Sequence, residues 1–220
     1  MTGPIVKPTS TDKRVWPPNP WRAVFVVGGF TALLYLVEAI DAVLPADLDR
    51  MFGIVPRSVS GLDGILLAPL LHLGWWHLHA DAPFVLVLGF LAMAGGLRQW
   101  IAVTATIWLI SGVGVWLISP DGVHTAGVSG VTMGWFVFLL ARGTFTRGVL
   151  HLGVAVALLL YWGSTLWLIF PSDPIIAGQA RWSVSWQAHL FGAAAGLLAM
   201  WLVAKANWLD RAKKWRHLTS

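Results

Sequence analysis

Cysteine is absent from this 220-residue chain, which excludes disulfides, thiolate catalysis and cysteine-bound zinc. Charge is scarce as well. Only 11% of residues are charged while 57% are hydrophobic, where a soluble domain carries about 25% charged residues. A water-soluble globule is thereby excluded, and long apolar runs point to membrane instead. The net charge is +5, yet the basic residues form no face or stripe of the kind that binds nucleic acid. They gather at the ends of apolar segments, as the positive-inside rule describes. No signal peptide is expected: the first apolar run starts beyond residue 20 and lacks a small-residue cleavage site. The zinc-helix signature H-E-x-x-H is missing too.

What remains is apolar, rich in tryptophan, and arranged in blocks. Many of the 15 tryptophans lie near segment ends, where aromatic belts meet the membrane surface. Residues 1–20, with five prolines and three basic residues, are expected to be a disordered cytoplasmic tail. Six membrane segments follow, at about 22–43, 77–95, 100–118, 127–142, 149–170 and 186–205; about 20 residues suffice to cross the hydrocarbon. Together they make an all-α, six-helix membrane domain over 21–205, and residues 206–220 form a basic cytoplasmic tail. Glu38 and Asp41, late in the first segment, are expected at the interface. Residues 44–76 form a long loop whose apolar end is too short to span. It is expected to lie in the interface or to re-enter the membrane under cover of protein.

Loop charge sets the orientation. With the N-terminus in the cytoplasm, twelve basic residues fall on the inner side, from Lys7 to Arg216, and three on the outer: Arg50, Arg57 and Arg181. Both termini are then inside. Ser129, His189 and His77 all come toward the outer ends of their segments, and no part of the charge argument used them.

Those three residues carry the candidate chemistry. Ser129 stands in Gly127-Val128-Ser129-Gly130 at the mouth of the fourth segment. A serine hydroxyl is a weak nucleophile until a base takes its proton, and histidine is the usual base. Unpaired N–H groups at a helix start, helped by the helix dipole, stabilise an oxyanion. Taken alone, the stretch is a packing motif of small residues. His189 shifts that weighting, because ionisable residues inside membrane segments are rare and usually functional. It heads AHLFGAAAGLLAM, where Gly192 and Gly196 let the sixth segment approach a neighbour closely. His72, His77, His79 and Asp81 crowd the start of the second segment, with His77 and Asp81 four apart and so on one helix face. That cluster admits three readings: a zinc site, an oxyanion-binding pair aimed at Ser129, or interfacial histidines without chemistry. Asp121 and Asp173 lie in loops on the same side, and no acid is placed to orient His189. The expected unit is therefore a Ser-His dyad rather than a triad.

In order, spacing and six-helix topology, the set resembles the rhomboid family of intramembrane serine proteases over about residues 60–205. The family has a histidine and, four residues on, an asparagine in its second helix. G-x-S-G opens its fourth helix, and a histidine precedes G-x-x-x-G in its sixth. The corresponding residues are His77 and Asp81; Gly127, Ser129 and Gly130; and His189 with Gly192 and Gly196. The resemblance implies that Ser129 attacks the scissile carbonyl and His189 acts as general base. His77 and the Ser129 N–H would bind the oxyanion, beside Asp81, Gly127 and Gly130. It implies no cofactor and no metal. The partners implied are transmembrane segments of substrate proteins and the bilayer, with no nucleic acid, at a cell membrane with the active site on the extracytoplasmic side. Two positions depart from the family pattern: Asp81 in place of the asparagine, and Met133 in place of an aromatic that packs on the catalytic histidine. An ionised Asp81 repels an oxyanion, whereas a protonated one, or one paired with His77 or His79, does not. The rival expectations are a rhomboid-like protein that binds membrane helices without cutting them, and a small transporter or channel. The inner halves of the segments offer almost no ionisable residues for the latter.

Overall fold

The computed structural model describes residues 14–146, 148–171, 175–177, 180–182 and 185–219. Residues 1–13 of the expected tail, Arg147, and Asp173 and Pro174 of the last loop lie outside the described residues. The first helix, α1, spans Pro20–Val43. It starts there because Asn19 caps it, its side chain accepting the Arg22 N–H at 3.0 Å, and because Pro20 fits a first helical turn. After it come two short helices, α2 at Leu48–Phe52 and α3 at Gly64–Leu67. The long helices α4 (Trp75–Ala92), α5 (Leu97–Ile118), α6 (Ser129–Thr146) and α7 (Val149–Trp162) follow. A small hairpin of β1 (Ile175–Ala177) and β2 (Ala180–Trp182) precedes α8, Trp186–Thr219.

Five of these elements are long and apolar enough to cross a membrane: residues 20–43, 75–95, 97–118, 149–169 and 186–210. The exception is α6, and its position explains why. It packs against α4, α5, α7 and α8, and twelve of its eighteen residues are buried. A helix sheathed by protein need not be apolar on every face, so α6 carries Ser129, Thr132 and Arg142. The core collects around it, with Trp135, Phe136 and Phe138 fully buried. The Trp135 ring lies against Gly89 of α4, and its indole N–H donates to Thr104 Oγ1 of α5 at 3.0 Å. Outward-facing residues such as Phe25, Leu160 and Tyr161 are more than three-quarters exposed, as a lipid-facing surface requires. The chain is an all-α membrane bundle.

Several boundaries differ from the sequence expectation. The fifth segment is α-helical only to Trp162 and continues as a tighter 3₁₀ run over Gly163–Ile169, where Gly163, Ser164 and Thr165 are weak helix formers. The expected tail at 206–220 is a continuation of α8 to Thr219. No glycine or proline interrupts that stretch, so nothing stops the helix, which at 1.5 Å per residue is about 51 Å long. At the other end of the chain, residues 14–19 are largely exposed but are tied to the bundle at two points. The Arg14 carbonyl accepts hydrogen bonds from Arg142 Nη2 at 3.1 Å and His151 Nε2 at 2.9 Å. Trp16 meets Phe90 edge-on.

The long first loop is folded. Trp108 Nε1 of α5 donates to the Ile65 carbonyl at 3.1 Å, and Trp116 Nε1 to that of Ser58 at 2.9 Å. Arg57 Nη1 donates to the carbonyls of Leu117 and Ser119, and its other nitrogen pairs with Asp121. Ile54 and Thr125 exchange backbone hydrogen bonds. The loop thereby binds the Ser129 end of the bundle. Glu38, expected near the interface, is covered by protein. It is 3% exposed and turns into the bundle, while Asp41 accepts the Leu48 N–H at 2.7 Å and so anchors the start of α2.

Candidate active site

Close approach of α6 and α8 builds the centre of the site. Gly130 and Gly134 of α6 face Gly192 and Gly196 of α8 so tightly that a side-chain carbon on Gly192 would overlap the Gly130 carbonyl, and one on Gly196 the Gly134 carbonyl. A Cβ on Gly130 would likewise come within 3.0 Å of the Ala188 carbonyl. That carbonyl is already occupied by the Ser111 hydroxyl of α5, which donates to it at 2.9 Å in the buried interior. Positions 130 and 188 are thus in backbone contact; their chain neighbours are Ser129, the first residue of α6, and His189, in the first turn of α8. From sequence, Gly192 and Gly196 signalled a close helix approach. Gly134, the other half of the seam, and Ser111, which ties it to α5, were missed, although Gly134 lies four residues after Gly130.

Ser129 begins α6 and is half-buried. The Val128 carbonyl accepts the N–H groups of Val131 and Thr132, and the N–H groups before them have no acceptor within the helix. Gly127 holds a φ of +127°, a region that disfavours side chains. His189 is 2% exposed. Its Nδ1 faces the Leu168 carbonyl at 3.2 Å. A carbonyl only accepts, so a neutral imidazole carries its proton on Nδ1 and leaves Nε2 with a free lone pair. No carboxylate makes this contact; the orienting group is a backbone carbonyl at the end of the 3₁₀ run, which sequence patterns do not reveal. Asp121 is committed to Arg57 at the loop surface.

His77 lies on the far side of Gly127. A Cβ on Gly127 would come within 2.8 Å of the His77 ring, so the ring occupies the space that only glycine leaves. Its Nδ1 accepts the Leu73 N–H at 3.4 Å, which puts the imidazole proton on Nε2. That nitrogen is 3.5 Å from Asp81 Oδ2. The same oxygen is 3.6 Å from His72 Nε2. His77 and Asp81 are close enough to His189 for their charges to act on it. Of the crowded histidines, His79 is outside the site: it is exposed, with Nδ1 on its own helix at the Trp75 carbonyl, and its ring meets Tyr35. Of the two partners expected for Asp81, His77 stands beside it and His79 does not, and His72 occupies the other side. Helical spacing did not show this, because His72 sits in the loop ahead of α4. No three His, Asp or Glu side chains among the described residues are arranged to hold a metal ion. Met133 is buried in the core of α6.

Residues 61–206 match the family model described as the Rhomboid domain. The chain is similar to uncharacterized proteins of Mycobacterium bovis and Mycobacterium tuberculosis. Each is 39% identical over 220 residues, covering 96% of this chain and 89% of the relative. An uncharacterized protein of Mycobacterium leprae is 38% identical over 88% of this chain and 78% of its own length.

Proposed function

This chain belongs to the rhomboid family, and from that premise we propose that it is an intramembrane serine endopeptidase working through Ser129 and His189. The observation that supports the reading is the seam of Gly130 against Ala188, each one residue from a member of the proposed dyad, together with the Leu168 carbonyl at His189 Nδ1, which leaves the Nε2 lone pair for the serine proton. In the proposed reaction, His189 Nε2 takes the Ser129 proton as Oγ attacks the scissile carbonyl. The oxyanion is met by the Ser129 N–H and by His77 Nε2–H. The proton passes to the leaving amine, and water then hydrolyses the acyl-enzyme with His189 again acting as base. Substrates are transmembrane segments, locally unwound so that a carbonyl is reachable. They approach from lipid past α7, of whose fourteen residues only His151, Ala155 and Leu158 are buried. In the cell, the site faces the extracytoplasmic side of the membrane, with both termini in the cytoplasm. The test is cleavage of a single-span model substrate by wild-type protein in liposomes; a folded wild type that leaves every such substrate intact would favour the second reading.

That second reading is a helix-binding protein without catalysis. It is favoured by one observation: Asp81 Oδ2 faces the proton of His77 that the oxyanion needs. Cleavage by wild type excludes it.

Two further outcomes are expected. Activity falls on the acid side, because a protonated His189 no longer accepts the serine proton; kcat/KM drops about tenfold per pH unit below the titration of the base. A rate unchanged between about pH 5 and 8 would remove His189 from that role. Gly127→Ala is expected to lower kcat by on the order of 100-fold, since its methyl group displaces His77, a proposed oxyanion donor. Turnover measured beside thermal unfolding separates this loss from general destabilisation.

A further inference from the structure

Asp81 Oδ2 lies between two imidazoles, 3.5 Å from His77 Nε2 and 3.6 Å from His72 Nε2, and has no hydrogen-bond partner. Neither distance is a made hydrogen bond, so a shift of a few tenths of an ångström commits the oxygen to one ring or the other. The two commitments differ in consequence. His77 has its Nδ1 occupied by the Leu73 N–H, and its proton is on Nε2, the one that a substrate oxyanion must receive. If the carboxylate captures that proton, the oxyanion site loses a donor and gains a facing negative charge. His72 is the alternative partner. It is 2% exposed, and neither ring nitrogen has a hydrogen-bond partner. Its ring stands edge-on to that of His77 with centroids 5.3 Å apart. Glu38 of α1, buried with an unpartnered Oε2, is near enough for its charge to act on His72. His189 of α8 is also within electrostatic reach of Asp81.

We propose that His72 is a positioning residue for the oxyanion site: its Nε2–H holds Asp81 Oδ2 and so keeps the carboxylate from taking the Nε2 proton of His77. This rests on reading Ser129 as nucleophile and His77 as oxyanion donor. It explains how a carboxylate is accommodated at this position, because the competing donor is built in beside it. His72 acts only through Asp81, so its effect depends on which residue stands at 81.

The experiment is a double-mutant cycle on the full chain in liposomes, reading kcat, KM and thermal unfolding with a single-span model substrate. His72→Leu keeps bulk in the buried site and removes the donor; it is expected to lower kcat about tenfold with KM unchanged. His72→Gln retains an N–H and is expected to recover at least about fivefold over His72→Leu. In the Asp81→Asn background, where no carboxylate competes for His77, the cost of His72→Leu is expected to shrink to less than about threefold. Equal costs in both backgrounds, or equal losses for Leu and Gln, overturn the proposal and leave His72 a packing residue. Those results in a wild type that cleaves and is labelled by a fluorophosphonate overturn this inference alone. A folded wild type that neither cleaves nor is labelled overturns the serine-protease reading and this inference with it.

Discussion

Ser129→Ala is expected to abolish labelling by a fluorophosphonate and to lower kcat by roughly four to six orders of magnitude, with thermal unfolding almost unchanged. The size follows from the role. A serine nucleophile and its base act as one unit, and losing either removes nearly all of the chemical acceleration, leaving only what oxyanion stabilisation and binding supply. His189→Ala should therefore cost about as much as Ser129→Ala, and the double variant little more than either. The small effect on stability follows from the surroundings. Ser129 is half-buried at a helix start, and deleting one hydroxyl there costs about 1 kcal/mol or less of folding free energy. Labelling and turnover are to be measured on the same purified preparation. Labelling that persists in Ser129→Ala would assign the nucleophile elsewhere.

Gly192→Val is expected to have the largest effect on the fold, destabilising it by about 3 kcal/mol or preventing its accumulation, and to remove activity with it. A Cβ on Gly192 falls on the backbone carbonyl of Gly130, and Gly130 in turn is pressed against the Ala188 carbonyl. Neither neighbour is a flexible side chain that can turn aside, so α6 and α8 must separate. Overpacking a tight contact costs about 1–3 kcal/mol where side chains can relax, and more where backbone must move. Separation also disturbs the Gly130–Ala188 contact, whose chain neighbours are the proposed nucleophile and base. Gly153 of α7 is the matched control: nothing lies within 4 Å of a Cβ built there. Gly153→Ala should be neutral or stabilising by up to about 1 kcal/mol, since alanine is the better helix former. Thermal unfolding in detergent compares the two directly. Equal stabilities would mean that the glycine seam does not hold the bundle together.

Much of the molecule is legible in the chain because hydropathy and segment ends are local properties. The α1 start at Asn19-Pro20 and the apolar lengths of α1, α4, α5, α7 and α8 follow from composition and capping residues that act within a few positions. So do the small residues at 127, 130, 192 and 196, which mark where helices meet. What the chain leaves unsaid has local causes as well. Residues 206–219 looked like a tail because they are charged, yet charge does not end a helix when no glycine or proline does. Glu38 is placed near the interface by its position late in α1, and only the fold shows that it is covered by protein and within electrostatic reach of His72.

Hydropathy, loop charge and motif order along the chain are enough to specify a multi-pass helical membrane protein of the rhomboid family and to single out Ser129, His189 and His77. How these segments meet is a property of the fold. It pairs Gly134 with the α8 glycines, hands His189 to the Leu168 carbonyl instead of an acid, sets His79 aside and brings His72 to Asp81. The reason is one of range. Helix periodicity and hydropathy record what each segment does alone, whereas a carboxylate oxygen shared by a loop histidine and a helix histidine depends on angles between segments that no spacing along the chain encodes.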